Sequence, residues 1–195
     1  HKQIIGAFYG YSQSMFRVFE GNIGAQVMLN CPDVDFICSP ISYAQLRKAG
    51  RDQPYMLPLH SLKLHGKLYF AENDIRTHLS RPVCDNPHYN TPIWFGPEPE
   101  ETLEILKLHF AKSLINGHAL WWFDMWGGWY ADEDIMNEMA IYKSIYEQSI
   151  TDADRTSKAE VAVFVDESAY KYLTDSPFRN IFFNQRKELG YIGTP

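Results

Sequence analysis

The sequence predicts an α/β protein built around a parallel sheet. Short apolar, β-prone segments alternate along the chain with segments of helical periodicity, and turn-forming or polar residues separate them. The predicted strands are residues 4–9, 34–38, 68–72 and 118–124. A chain of 195 residues, 45% of them hydrophobic, is long and apolar enough to bury the core that such a sheet needs.

Helices are predicted between and after these strands. Residues 22–29 form a short helical stretch, and residues 100–115 form a longer one with leucines at helical spacing. The last helix of this region follows Asp132, whose carboxylate can cap its first turn. The polar segment beyond Pro40 is predicted to be a long loop, and residues 81–99, which contain five prolines, cannot form a regular element.

The end of the chain predicts a second unit. Residues 151–159 are polar and without periodicity, as in a linker. Residues 161–165 are continuously apolar and predict a strand, after which Ser168 could cap a helix. The predicted domains are therefore 1–150, the linker 151–159, and the start of a second α/β domain at 160–195, cut short because one strand is not a sheet.

Composition argues against several classes of partner. The formal charge of −6 and the scattered basic residues argue against nucleic acid as a partner, and no apolar run approaches the roughly 20 residues that span a membrane.

The three cysteines, Cys31, Cys38 and Cys84, form no CxxC pair and are interpreted as buried thiols. The histidines lack ligand spacing and no Gly-rich phosphate loop is present, so neither a metal nor another cofactor is expected.

Aromatic, hydroxyl and charged side chains collect at the ends of the predicted strands. They are Tyr9, Tyr43, Glu72, Asp74, Arg76, Trp122 and Asp124. Because the carboxyl ends of parallel strands share one edge of a sheet, we expect these side chains to line one site. Sugar rings offer C–H faces to aromatic rings and hydroxyls to charged groups, so this mixture is typical of a carbohydrate site.

Glu72 is the strongest catalytic candidate among these residues. It directly follows an apolar strand, where a carboxylate is costly unless it is paired or used. The alternative is a structural ion pair with Arg76. Asp74 and Arg76 either hold Glu72 ionised or form an ordinary surface pair, since a nearby cation lowers the pKa of a carboxyl group. Trp122, in phase with Asp124 on its strand, is the better pocket candidate of its tryptophan cluster.

Four segments carry a resemblance to a known family. DVDFICSPISY, GKLYFAENDIRTHL, GHALWWFDMWGGWY and EVAVFVDESAYKYL together resemble the later part of family 42 β-galactosidases. The resemblance implies that the four predicted strands are strands five to eight of a (β/α)₈ TIM barrel. The segment from Glu160 would open the flavodoxin-like, glutamine-amidotransferase-like domain that follows the barrel.

The resemblance also implies a mechanism. Glu72 matches the nucleophile of a retaining glycosidase, whereas the acid/base carboxylate belongs to an earlier barrel strand and is expected outside this chain. Tyr43 would steady the nucleophile and Trp122 would be a sugar platform. The family's cysteine-lined zinc site has no match here. The chain alone is therefore expected to be inactive, and its half-barrel is expected to pair with the missing half or with a second copy.

Two other functions remain open from the sequence. One is a non-catalytic carbohydrate-binding or assembly protein that uses the aromatic pocket. The other is a doubly wound α/β protein with a ligand at its switch point, although GxGxxG and GxxxxGK[ST] are both absent. No signal peptide is visible, which leaves the localisation open with a slight preference for the cytoplasm.

Overall fold

The computed structural model describes residues 3–11, 22–43, 47–80, 96–152, 154, 156–172, 184, 188, 189 and 192. The strands are β1 (Gly6–Phe8), β2 (Phe36–Pro40), β3 (Leu68–Asn73) and β4 (Ala119–Trp122). The helices are α1 (Ala25–Asn30), α2 (Leu59–Leu64), α3 (Pro99–Asn116) and α4 (Glu133–Asp152), with a 3₁₀ helix at Glu167–Lys171. None of the helices in these ranges is long and apolar enough to cross a membrane.

The four strands form one parallel sheet in the order β1-β2-β3-β4. A helix lies in the connection between each pair of consecutive strands, as parallel pairing requires a crossover. Gly6 lies opposite Phe36 and Phe8 opposite Cys38, and the pairing of β2 with β3 runs from Phe36 opposite Leu68 to Pro40 opposite Glu72. The prediction of an α/β fold with a parallel sheet is confirmed.

The chain divides into two compact units. The first contains β1, α1, β2, α2, β3 up to Glu72, and the 3₁₀ helix, whereas the second contains residues 47–51 and 73–80, α3, β4 and α4.

In the first unit, the two faces of the sheet differ in burial. Ile37, Ser39, Tyr69 and Ala71 are buried on one face, where Tyr69 hydrogen-bonds Ser39 through its hydroxyl (3.0 Å). On the other face Phe8 is 58% exposed and Leu68 47% exposed. This difference follows from the two-residue period of a strand, which sends successive side chains to opposite faces.

In the second unit, α3 and α4 bury a common apolar interface. Phe110 stacks on Tyr142 with ring centroids 4.5 Å apart. Gly117 ends α3 in the left-handed conformation (φ 59°), which a glycine adopts without steric cost. Asp132 accepts a hydrogen bond from Ile135 N (3.0 Å) and so caps α4, as predicted.

Three sequence predictions about elements are wrong. Residues 161–165 form no strand; Phe164 is 91% exposed, and no strand lies beside the segment in the described chain to satisfy its backbone groups. The cap of the following 3₁₀ helix is Asp166, which accepts from Ser168 N (2.8 Å), rather than Ser168 itself. The predicted long loop after β2 contains α2, which buries Leu59 and Leu62 one helical turn apart.

Smaller differences concern boundaries and thiols. The helix α4 extends to Asp152, into the predicted linker, and α1 begins at Ala25 instead of residue 22. Cys31 and Cys38 are half-buried and form no disulfide among the described residues, whereas Cys84 lies outside them.

Candidate functional site

Glu72 lies at the carboxyl end of β3, in the first unit. It is the penultimate residue of the strand and stands opposite Pro40 of β2. Alternation along β3 places its side chain on the face of Leu68 and Phe70, while Tyr69 and Ala71 point to the buried face. Glu72 is half-buried, and its side chain lies on the less covered face, at the edge of the sheet where parallel strands end.

Tyr9 does not share this face. Its backbone N–H donates to Cys38 O (2.9 Å), which continues the ladder of β1 and β2 and puts the Tyr9 side chain opposite to that of Glu72. The hydroxyl of Tyr9 instead accepts a hydrogen bond from Gly24 N (2.7 Å). Burial, and then the negative charge of Glu167, raise the pKa of Tyr9 to about 12. The expectation that Tyr9 and Glu72 line one site therefore fails, because strand register separates them.

Glu167 was not singled out from the sequence. Its carboxylate accepts a hydrogen bond from Ala25 N (3.1 Å), the first residue of α1, although 142 residues separate the two. No pattern in the local sequence predicts a contact between residues so far apart in the chain. Tyr43, the predicted support of the nucleophile, lies half-buried three residues beyond β2.

The second unit contains a buried ionic cluster around Asp74. Its carboxylate forms ion pairs with Arg47 Nη1 (2.6 Å) and Arg76 Nη1 (3.0 Å), and its backbone carbonyl also accepts from both guanidinium groups. The side chains of all three residues are at most 5% exposed. The reading of Asp74 and Arg76 as a surface pair is therefore wrong, since a carboxylate with two hydrogen-bonded cations can be buried.

Two aromatic residues of the β4–α4 loop complete this cluster. The Arg76 guanidinium lies over the ring of Trp129, 4.8 Å from its centroid, in a cation–π geometry. The Trp129 carbonyl accepts from Thr77 Oγ1. The Tyr130 hydroxyl lies 3.2–3.4 Å from the carbonyl oxygens of Asn73, Ile75 and Phe123. Burial raises the pKa of Tyr130, and the charges of Asp74 and Asp124 add to this shift.

The carboxylate of Asp124 accepts hydrogen bonds from the backbone of the loop that follows β4. One of its carboxylate oxygens accepts from Trp126 N (3.3 Å) and Gly127 N (2.6 Å), and the other accepts from Trp129 N (2.9 Å). The carboxylate predicted to bind substrate is thus engaged with its own backbone. Trp122 is half-buried and meets the Tyr130 ring edge to face at 6.2 Å.

The predicted residues thus fall into separate groups. Asp74 and Arg76 meet directly. Trp122 ends β4 and Asp124 lies in the loop after it, in the same unit, whereas Glu72 belongs to the first unit. The sequence analysis does not single out Arg47, and it includes Trp129 only as a member of the tryptophan cluster in which Trp122 is preferred. Within the described ranges, no three His, Cys, Asp or Glu side chains converge in a way that could hold a metal ion.

No family model, curated protein or solved structure matches the chain.

Proposed function

We propose that this chain carries the nucleophile of a retaining β-glycosidase of the β-galactosidase type, and that the nucleophile is Glu72. The proposal rests on the position of Glu72: it is a half-buried residue at the carboxyl end of a parallel strand, on the less covered face of the sheet. Enzymes with parallel β/α architecture place their catalytic groups at this edge.

The strand order supports a barrel as the parent architecture. The four strands are neighbours in chain order, without the reversal that creates the switch point of a doubly wound sheet. Parallel sheets are normally covered on both faces, yet Phe8 and Leu68 are exposed on the face that carries Glu72. We therefore propose that the strands are strands five to eight of a (β/α)₈ barrel and that this face belongs to its interior.

The proposed reaction proceeds in two steps. A Glu72 carboxylate oxygen attacks the anomeric carbon, the bond from that carbon to the leaving oxygen breaks, and a covalent glycosyl ester forms. Water then hydrolyses the ester with net retention. An ordinary alcohol leaving group must be protonated as it departs, and we propose that the acid comes from outside this chain, in a missing half-barrel or a second copy.

An activated substrate tests the nucleophile without the acid. In a 2,4-dinitrophenyl 2-deoxy-2-fluoro-β-galactoside the phenolate departs without a proton, while the fluorine slows hydrolysis of the ester. Intact-protein mass spectrometry of the purified chain should show one added fluorogalactosyl group, and peptide mapping should place it on Glu72.

Two variants control this experiment. Glu72→Gln should form no adduct, whereas Glu104→Gln, which changes an exposed glutamate paired with Lys107 (3.2 Å), should label like the parent chain. Adduct formation in Glu72→Gln, or labelling of another residue, would rule out the proposed role. Supplying the acid-bearing half should bring turnover of aryl β-galactosides.

A non-catalytic carbohydrate-binding protein is the second candidate. The observation in its favour is the tryptophan-rich loop after β4, whose backbone N–H groups donate to the Asp124 carboxylate. Sugar binding without any labelling of Glu72 would favour this candidate over the glycosidase.

A further inference from the structure

We infer that Trp126, Gly127 and Gly128, in the loop between β4 and α4, form a binding surface for a neutral sugar ring. The choice of ligand class rests on the proposed function, whereas the surface itself rests on the geometry of this loop. The sequence-based expectation assigned a sugar platform to Trp122, but that ring packs on Tyr130.

The side chain of Asp124 ties the loop together without a ligand. The Asp124 carboxylate accepts three backbone hydrogen bonds, from Trp126, Gly127 and Trp129. A carboxylate that accepts several N–H groups makes stronger hydrogen bonds than a neutral acceptor would. A surface fixed in this way loses little conformational freedom when it binds, which favours affinity for a small ligand.

Trp126 is the ring that this loop presents. It meets Trp129 edge to face, with centroids 5.5 Å apart, and Trp129 is itself buried beneath the Arg76 guanidinium. The buried ring therefore fixes the orientation of its neighbour. Trp126 stays half-buried, so part of the indole remains accessible to the C–H face of a sugar.

The two glycines keep the space beside this ring open. Gly127 and Gly128 have φ values of 85° and 83°, and apart from the residues adjacent to each in the chain no atom lies within 4 Å of where a Cβ would stand on either. Both are exposed. A ligand can therefore approach the backbone closely there, and the carbonyl oxygens, each of which can accept two hydrogen bonds, can accept from sugar hydroxyls.

The charge of the loop favours a neutral ligand. Between residues 123 and 131, Asp124 is the one charged side chain, and its carboxylate is directed to the loop backbone. An anion would meet this carboxylate without a compensating loop cation, and a cation would have to compete with three N–H donors. An aromatic face beside exposed peptide groups suits the alternating C–H and hydroxyl surface of a sugar.

Binding to three probes tests this surface in the intact 195-residue chain. Methyl β-galactoside, lactose and a β-1,4-galactan oligosaccharide are titrated and followed by saturation-transfer NMR. Trp126→Ala should weaken binding roughly two- to tenfold, from the size of an aromatic contact. Trp126→Phe should retain part of the affinity. Trp121→Ala is the matched control, because Trp121 is an exposed tryptophan on β4 and its ring packs edge to face on Phe123.

Each outcome decides between the two proposals. If Trp126→Ala binds the probes more weakly while Trp121→Ala does not, and Glu72 is not labelled, the sugar-binding surface is supported and the role of Glu72 as nucleophile is refuted. Labelling of Glu72 together with unchanged binding in Trp126→Ala refutes the surface and leaves the catalysis. An equal loss in Trp121→Ala, or no binding of any probe by the parent chain, also refutes the surface. Thermal unfolding of each variant separates lost binding from lost fold.

Discussion

Neutralising Asp74 should destabilise the second unit strongly. In Asp74→Asn, the buried guanidinium groups of Arg47 and Arg76 keep their charges while the carboxylate between them, 2.6 and 3.0 Å away, is lost. Removing one partner from a buried ion pair costs about 3–5 kcal/mol, since it leaves uncompensated buried charge. The stability of a whole domain is about 5–15 kcal/mol, so this loss is a large part of the total.

Urea unfolding, followed by near-ultraviolet circular dichroism of the tryptophans, measures this loss. With a urea dependence of about 1–3 kcal/mol per molar, the midpoint should fall by 1 M or more, as a rough estimate. Glu104→Gln breaks an exposed pair with Lys107 and should cost under about 1 kcal/mol. Adding Arg76→Met to Asp74→Asn should recover part of the stability, since it removes one uncompensated charge. A loss in Asp74→Asn no larger than in Glu104→Gln would refute the reasoning.

Two further outcomes are expected. Asp124→Ala removes the acceptor of three loop amides, so hydrogen exchange at Gly127 and Trp129 should accelerate; unchanged exchange would show that the carboxylate does not hold the loop. Burial lowers the pKa of His109 well below 6.5, and the positive charges of Lys112 and Arg47 lower it further. As the pH falls, His109 is therefore protonated in the unfolded protein before it is protonated in the folded protein. Stability should therefore decrease by up to about 1.4 kcal/mol per pH unit below pH 6.5, and His109→Gln should show a shallower decrease in urea titrations at pH 5 to 7. An identical pH dependence in both proteins would contradict this assignment.

Much of the fold could be predicted because its signals are local. Each strand is a short apolar run with turn-forming or polar residues at its ends, and α3 ends at Gly117 as glycines commonly end helices. The cap of α4 by Asp132 is also a local signal. Residues 161–165 show the limit of such reasoning. These residues have the apolar, β-prone composition of a strand. A strand also needs an adjacent strand whose backbone groups hydrogen-bond its own N–H and C=O groups, and composition does not show whether one is present.

The site depends on contacts that are not local. Arg47 reaches Asp74 across 27 residues, and no sequence pattern links them. Tyr9 was assigned to the wrong face because one residue of register decides to which side of a sheet a side chain points. The sequence predicts Asp124 as the last residue of the fourth strand, whereas β4 ends at Trp122 and Asp124 lies two residues beyond it. Its role depends on where three amide groups fold back to meet its carboxylate.

The ionic cluster around Asp74 also constrains how this sequence can diverge. Replacing Arg47, Asp74 or Arg76 alone leaves the charges of the remaining members unbalanced in a buried environment, whereas an apolar replacement of all three can be neutral or favourable. The three positions should therefore covary among descendants of a common ancestor, retained together or exchanged together. Positions 47, 74 and 76 would then mark kinship even between chains whose remaining residues have little in common.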